Sequence, residues 1–164
     1  MAASSLTTGW MRDHVNNRLD FYFLGTRIGH INASGLTSAL GLTSSSATSG
    51  IGYATGAGST VTQASNRATG VTINAITGAI TTVTTSLAAE ASAVFVVTNS
   101  AVAIGDVVIL SMRSGSVALN TQVEVTAVAA GSFSISVINN NVASGTAETG
   151  AIIINFAVIK AVSA

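Results

Sequence analysis

From residue 59 onward, apolar and polar positions alternate in short runs, which is the period of a β-strand and not of a helix. Ser132-Phe133-Ser134-Ile135-Ser136-Val137 places Phe133, Ile135 and Val137 on one side and the serines on the other. Gln122-Val123-Glu124-Val125-Thr126 repeats the pattern, and Val71 and Ile73 alternate with Thr72 and Asn74. Residues 93–97, 107–110 and 152–159 are apolar on both sides, the signature of strands covered on two faces. Turn residues separate these runs at Thr98-Asn99-Ser100, Gly105-Asp106, Ser114-Gly115-Ser116, Ala130-Gly131, Asn139-Asn140-Asn141 and Ser144-Gly145; Ser114-Gly115-Ser116 reads as a hairpin turn. The spacing predicts roughly eight strands and an all-β fold, an antiparallel β-sandwich or jelly-roll-like domain over residues 59–164.

The first thirty residues follow another pattern. Met11, Val15, Leu19 and Tyr22 recur at intervals of four, four and three, one face of a helix over residues 8–22, with Thr8 as N-cap. Asp20-Phe21-Tyr22-Phe23-Leu24 then turns aromatic and extended before Gly25. Residues 32–58 consist mainly of Ser, Thr, Gly and Ala, which bury too little area to form a core alone. They read as a linker or as a segment laid on a partner's surface. The expected organisation is an N-terminal arm with a short helix over residues 1–31, this small-residue segment over 32–58, and the β domain over 59–164.

Composition narrows the function. The chain has 164 residues, of which 7% are charged, six of each sign, while 48% are hydrophobic and both proline and cysteine are absent. One lysine among six basic residues gives no footprint for a phosphate backbone, so nucleic acid is not an expected partner. Mean hydropathy is +0.61, yet residues 68–89, an uncharged stretch long enough to span, carry threonine every few positions. That is too polar for the ~20 apolar residues of a membrane helix. The N-terminus lacks a basic start followed by an apolar block, so no secretory signal is expected, nor any membrane partner.

Candidate chemistry is sparse. His14 and His30 lie sixteen residues apart with only Asp13 and Asp20 nearby, and no spacing fits a zinc site. The run Gly52-Tyr53-Ala54-Thr55-Gly56-Ala57-Gly58-Ser59 lacks the Lys-Ser/Thr pair of a phosphate loop and leads into a strand pattern. Glu90, Asp106, Glu124 and Glu148 are all expected to be solvated or interfacial, with no pair marked for acid–base work. No Gly-x-Ser-x-Gly elbow occurs. The expectation is a non-enzymatic protein with no cofactor, no metal and no catalytic residue.

Two features point to association. Strands without proline and with one lysine leave their edges unprotected, so residues 152–159 are expected to be covered by other subunits, with Ile152, Ile154, Phe156 and Val158 as interface residues. The N-terminal arm holds half the aromatics together with arginines: Trp10, Met11, Arg12, Arg18, Phe21, Tyr22, Phe23 and Arg27. Aromatic residues and arginine are the types favoured at interface hot spots.

Several segments carry a resemblance to a known family. They are residues 52–63 (GYATGAGSTVTQ), 92–100 (SAVFVVTNS), 126–133 (TAVAAGSF) and 154–161 (INFAVIKA). In this order they resemble a C-terminal β domain of tailed-bacteriophage structural proteins: head decoration (cement) proteins, head fibres and tail-fibre-like proteins. The resemblance covers about two thirds of the chain and leaves out residues 1–50. It implies a homotrimeric jelly-roll or sandwich displayed on the virion. The expected function is capsid decoration on the head surface, with the N-terminal residues named above gripping the major capsid protein. The alternative is a fibre or receptor-binding protein that contacts host glycans.

Overall fold

The computed structural model describes residues 8–48, 50–142 and 145–161. Residues 1–7 of the expected arm and Ser144 of the expected turn lie outside them. Among the described residues there is no helix; strands dominate, in two compact units divided between Gly52 and Tyr53.

The N-terminal unit is a four-stranded antiparallel meander of β1 (Thr8–Asp13), β2 (Arg18–Phe23), β3 (Thr26–Asn32) and β4 (Gly35–Ser38), in that spatial order. The expected helix over residues 8–22 is therefore replaced by a β-hairpin, and the reason is local. Asp13 Oδ1 accepts hydrogen bonds from the backbone N–H groups of Val15 and Asn16, at 3.1 and 3.0 Å. Asn17 adopts φ = 46°, a conformation asparagine tolerates far better than most residues. An Asp-x-x-Asn-Asn turn thus interrupts the helical spacing, and Val15, a supposed face residue, is 93% exposed at the hairpin tip. Phe21, Tyr22 and Phe23 favour the extended strand that follows. Leu24 and Gly25, with φ of 47° and 78°, close the next hairpin in two residues. Positive φ at both central positions is the turn that matches strand twist. The expected linker is also partly structured: β3 crosses its boundary, and β4 pairs with β3 from Gly29↔Ser38 to Asn32↔Gly35.

Among its described residues the C-terminal unit holds eight strands: β5 (Gly58–Thr62), β6 (Val71–Thr72), β7 (Thr77–Thr81), β8 (Ser92–Thr98), β9 (Val107–Ser114), β10 (Thr121–Ala129), β11 (Ser132–Asn139) and β12 (Ile153–Ile159). They form two sheets of order β5-β7-β12-β9 and β10-β11-β8-β6. Most pairs are antiparallel, but β5–β7 and β6–β8 are parallel, so the sheets are mixed and not wholly antiparallel. Ser114-Gly115-Ser116 is not a hairpin turn. It carries the chain from one sheet to the other, and Gly115, at φ = 93°, comes against the Ala151 carbonyl where a side chain would not fit.

Both sheets feed one apolar cluster. Phe95, Val97, Phe133, Ile135 and Val137 come from one sheet, and Ile80, Ile154, Phe156 and Val158 from the other. Phe133 and Phe156 meet with ring centroids 5.4 Å apart. The alternation read at Phe133, Ile135 and Val137 puts these three fully inside. The runs thought to be covered on both sides behave differently. In 93–97 and 107–110 every second residue points outward, leaving Val94, Val96, Val107 and Ile109 exposed.

Candidate interaction surfaces

Strand register sorts the eight expected anchoring residues onto two faces of the meander. Trp10 pairs with Phe21, Thr8 with Phe23 and Arg12 with Leu19 across β1 and β2, so these six share one face. Beyond β2, Leu19 pairs with Ile31 and Ile31 with Leu36, which extends that face across all four strands. Trp10 meets Phe21 edge to face at 4.8 Å. Trp10 is nonetheless 67% exposed, and Phe23, Ile31 and Leu36 are exposed as well. A single sheet has no second layer of its own to cover such a face.

Met11, Arg18, Tyr22 and Arg27 lie on the opposite face, around Asp20. Asp20 is buried and accepts from Arg18 Nε at 2.9 Å and Arg27 Nη1 at 3.5 Å. Arg18 also reaches Asp13 at 3.1 Å. Hydrogen bonds from the Asn16 side chain and backbone hold the Asp13 carboxyl below its ordinary range, and Arg18 adds to this. Arg18 and Arg27 thus hold the sheet together from behind. The sequence grouped all eight residues as one anchor because the helical reading hid the two-residue period that divides them.

The expected trimer-interface residues require a correction. Ile152, Ile154, Phe156 and Val158 are at most 2% exposed within this one chain, packed in its own core. They have no surface to offer another subunit. Outward from the same sheet point Ile159, Ala157 and Asn155 of β12, opposite Val107, Ile109 and Ser111 of β9. Thr77 and Ala79 of β7 and Gly58 and Thr60 of β5 continue this outer face. Across its four strands the only charged residue is Arg113, at the bulge where β12 slips register against β9. A shallow concavity of about 380 Å³ lies over β5 and β7, lined by Thr60, Thr77, Ala79, Asn155 and neighbours. None of its lining residues titrates.

The carboxylates also depart from expectation. Glu90 and Glu124 are exposed, but Asp106 is buried and Glu148 is completely so. Glu148 accepts from Ser116 Oγ and Thr121 Oγ1, both at 2.6 Å, from Gly150 N at 2.7 Å and from Val117 N at 3.1 Å. Burial alone would raise its carboxyl; these hydrogen bonds prevail and lower it from 4.5 to about 2. Nearby, Arg67 donates to the carbonyls of Thr85, Glu148 and Gly150 and to Thr82 Oγ1. Burial pulls its guanidinium pKa down from the ordinary value. Asp106 accepts from Ala103 N at 2.8 Å and from Lys160 Nζ at 2.5 Å, which together lower its carboxyl. Arg67, Asp106 and Glu148 are all engaged in structure, and none of these carboxylates lines the concavity. Among the described residues no cluster of three His, Asp or Glu side chains could hold a metal ion.

No protein-family model matches the chain, and comparison with curated proteins and with solved structures returns no match.

Proposed function

We propose that this chain is a non-enzymatic structural protein of a virus particle, a capsid decoration (cement) protein. In this reading the two C-terminal sheets form a β-sandwich that assembles as a homotrimer on the head surface. The N-terminal meander holds the major capsid protein, and placement across capsomer junctions adds buried area between neighbours. The observation that carries the reading is the distribution of unburied apolar side chains. Among them are two groups that each share a sheet face: Trp10, Phe23, Ile31 and Leu36 on the aromatic face of the meander, and Val107, Ile109 and Ile159 on the charge-poor outer face of β5-β7-β12-β9. Two faces of that kind, in a chain whose buried carboxylates are engaged in structure, suit a protein whose work is contact.

Subunit contact is assigned to the outward Val107, Ile109, Ala157 and Ile159, in place of the buried residues of β12. That sheet is favoured over its companion because its exposed apolar side chains span two paired strands, β9 and β12, whereas the companion's, Val94 and Val96, lie on β8 alone. The test is to locate the chain on purified particles by antibody labelling and imaging. Regular density over the head is the expected result. Density confined to the tail tip would replace decoration by host recognition, and absence from the particle would overturn the virion reading.

A further inference from the structure

Arg12 stands apart from the other charges of the meander. Residues 8–48 contain Arg12, Asp13, Arg18, Asp20 and Arg27 as their charged side chains. Four of these are joined behind the sheet, where Arg18 bridges Asp13 and Asp20 and Arg27 reaches Asp20. Two cations against two anions leave that face neutral. The remaining charge is Arg12, which by register lies with Trp10, Leu19 and Phe21 on the apolar face. No ion pair among the described residues reaches it.

An arginine beside an exposed tryptophan on an otherwise uncharged, aromatic-rich surface has the composition of an interface hot spot. Burying that surface against a purely apolar partner would strand the guanidinium without a counter-charge, which is strongly unfavourable. A carboxylate removes this penalty and can engage the guanidinium through two parallel hydrogen bonds. We infer that the aromatic face of β1-β2-β3-β4 seats on an apolar strip of a partner protein that presents a carboxylate to Arg12. The inference rests on the decoration reading, in which that partner is the major capsid protein.

Other occupants fit less well. A second copy of the same face brings another Arg12 and no acid, since Asp13 and Asp20 point to the opposite side. A bilayer would gain only about 1 kcal/mol from a single cation, and stable peripheral binding takes a basic cluster or a second signal. The inference also separates the arginines by role: Arg12 makes the contact, whereas Arg18 and Arg27 hold the sheet that presents it.

The experiment uses the full chain and heads of the particle purified without it. Binding by co-sedimentation is expected to weaken roughly 30-fold or more for Trp10→Ala and for Arg12→Glu. Met11→Ala and Tyr22→Phe, on the reverse face, should bind as the parent does. Because Arg12→Glu changes an exposed side chain with no ion-pair partner among the described residues, its circular dichroism melt should match the parent's. Arg12→Lys, treated with a carbodiimide on the heads, should form an amide link to an Asp or Glu side chain of the major head protein. Lys160 is the chain's only natural lysine, so the background is small. Unchanged binding by Trp10→Ala and Arg12→Glu, with the parent bound, would overturn this inference and leave decoration standing. Failure of the parent to bind heads at all would overturn both. Arg12-dependent binding to phosphatidylglycerol/phosphatidylethanolamine vesicles in place of heads would assign the face to a membrane and overturn the protein partner.

Discussion

Glu148 shows how a chain with so few charges uses one of them. Its carboxylate collects donors from Ser116 and Val117 in the passage between the sheets, from Thr121 at the start of β10, and from Gly150, just before β12. One side chain therefore fixes the crossover from β9 to β10 against the entry of β12. Its pKa is about 2 in the folded protein against an ordinary 4.5. Between those values the unfolded chain binds more protons, so folded stability falls as pH drops through that window and is complete above it. The difference corresponds to a contribution on the order of 3 kcal/mol at neutral pH. Asp106, lowered by the Ala103 amide and Lys160, acts in the same direction. Glu148→Gln should destabilise the protein by about 2–3 kcal/mol at pH 7 and flatten, without abolishing, the loss on acidification. Urea midpoints for both proteins at pH 7 and pH 3 measure this; parallel pH dependence would remove Glu148 from the account. Nothing in the sequence around Glu148 marked it as buried. Its donors other than Gly150 lie some thirty residues upstream, and only the crossing of the sheets brings them to it.

At the scale of elements, what the sequence revealed depended on whether one period governed a segment. Alternation at Phe133, Ile135 and Val137 had no rival, and those residues are buried as read. In residues 8–22 two periods competed. Met11, Val15, Leu19 and Tyr22 satisfied the helical one, while Thr8, Trp10 and Arg12 opposite Leu19, Phe21 and Phe23 satisfied the strand one. The turn chemistry of Asp13, Asn16 and Asn17 decided between them. The parallel pairs β5–β7 and β6–β8 were beyond reach for another reason, because strand direction depends on long connections that leave no local pattern. The β2–β3 turn supplies a prediction at this scale. Leu24 holds φ = 47° while 72% exposed, so it bears backbone strain with little packing in return. Leu24→Asn creates the Asn-Gly pair preferred in this turn and should stabilise the meander by about 0.5–1 kcal/mol. Trp10, the chain's single tryptophan, lies in β1 and reports on this unit. Its fluorescence midpoint in urea should rise, and an unchanged or lowered midpoint would contradict the strain argument.

The whole molecule poses the question of where its edges and faces end. Charged side chains, proline and short length commonly blunt the edge of a sheet. β9 has eight residues, no proline and one charge near its end, and it is hydrogen-bonded to β12 on only one side. On the face beside it Val107, Ile109 and Ile159 are each about half exposed. A surface of this kind either propagates into open aggregates or closes on itself in a finite ring; the homotrimer proposed above is the closed solution, with a mass near three times 16.3 kDa. The same strands let core and contact be tested separately. Ile154→Ala empties a fully buried site and should lower stability by about 2–5 kcal/mol through a cavity. Ile109→Lys, one strand over and facing outward, leaves the core intact but places a cation in the charge-poor face. It should shift the protein toward monomer in light scattering while its far-ultraviolet circular dichroism remains that of the parent. If Ile109→Lys stays trimeric while Val96→Lys on the companion sheet dissociates the protein, the contact belongs to the other face. If neither substitution changes an oligomer of the parent, association runs through the N-terminal meander, and Trp10→Ala should then be the variant that releases the subunits.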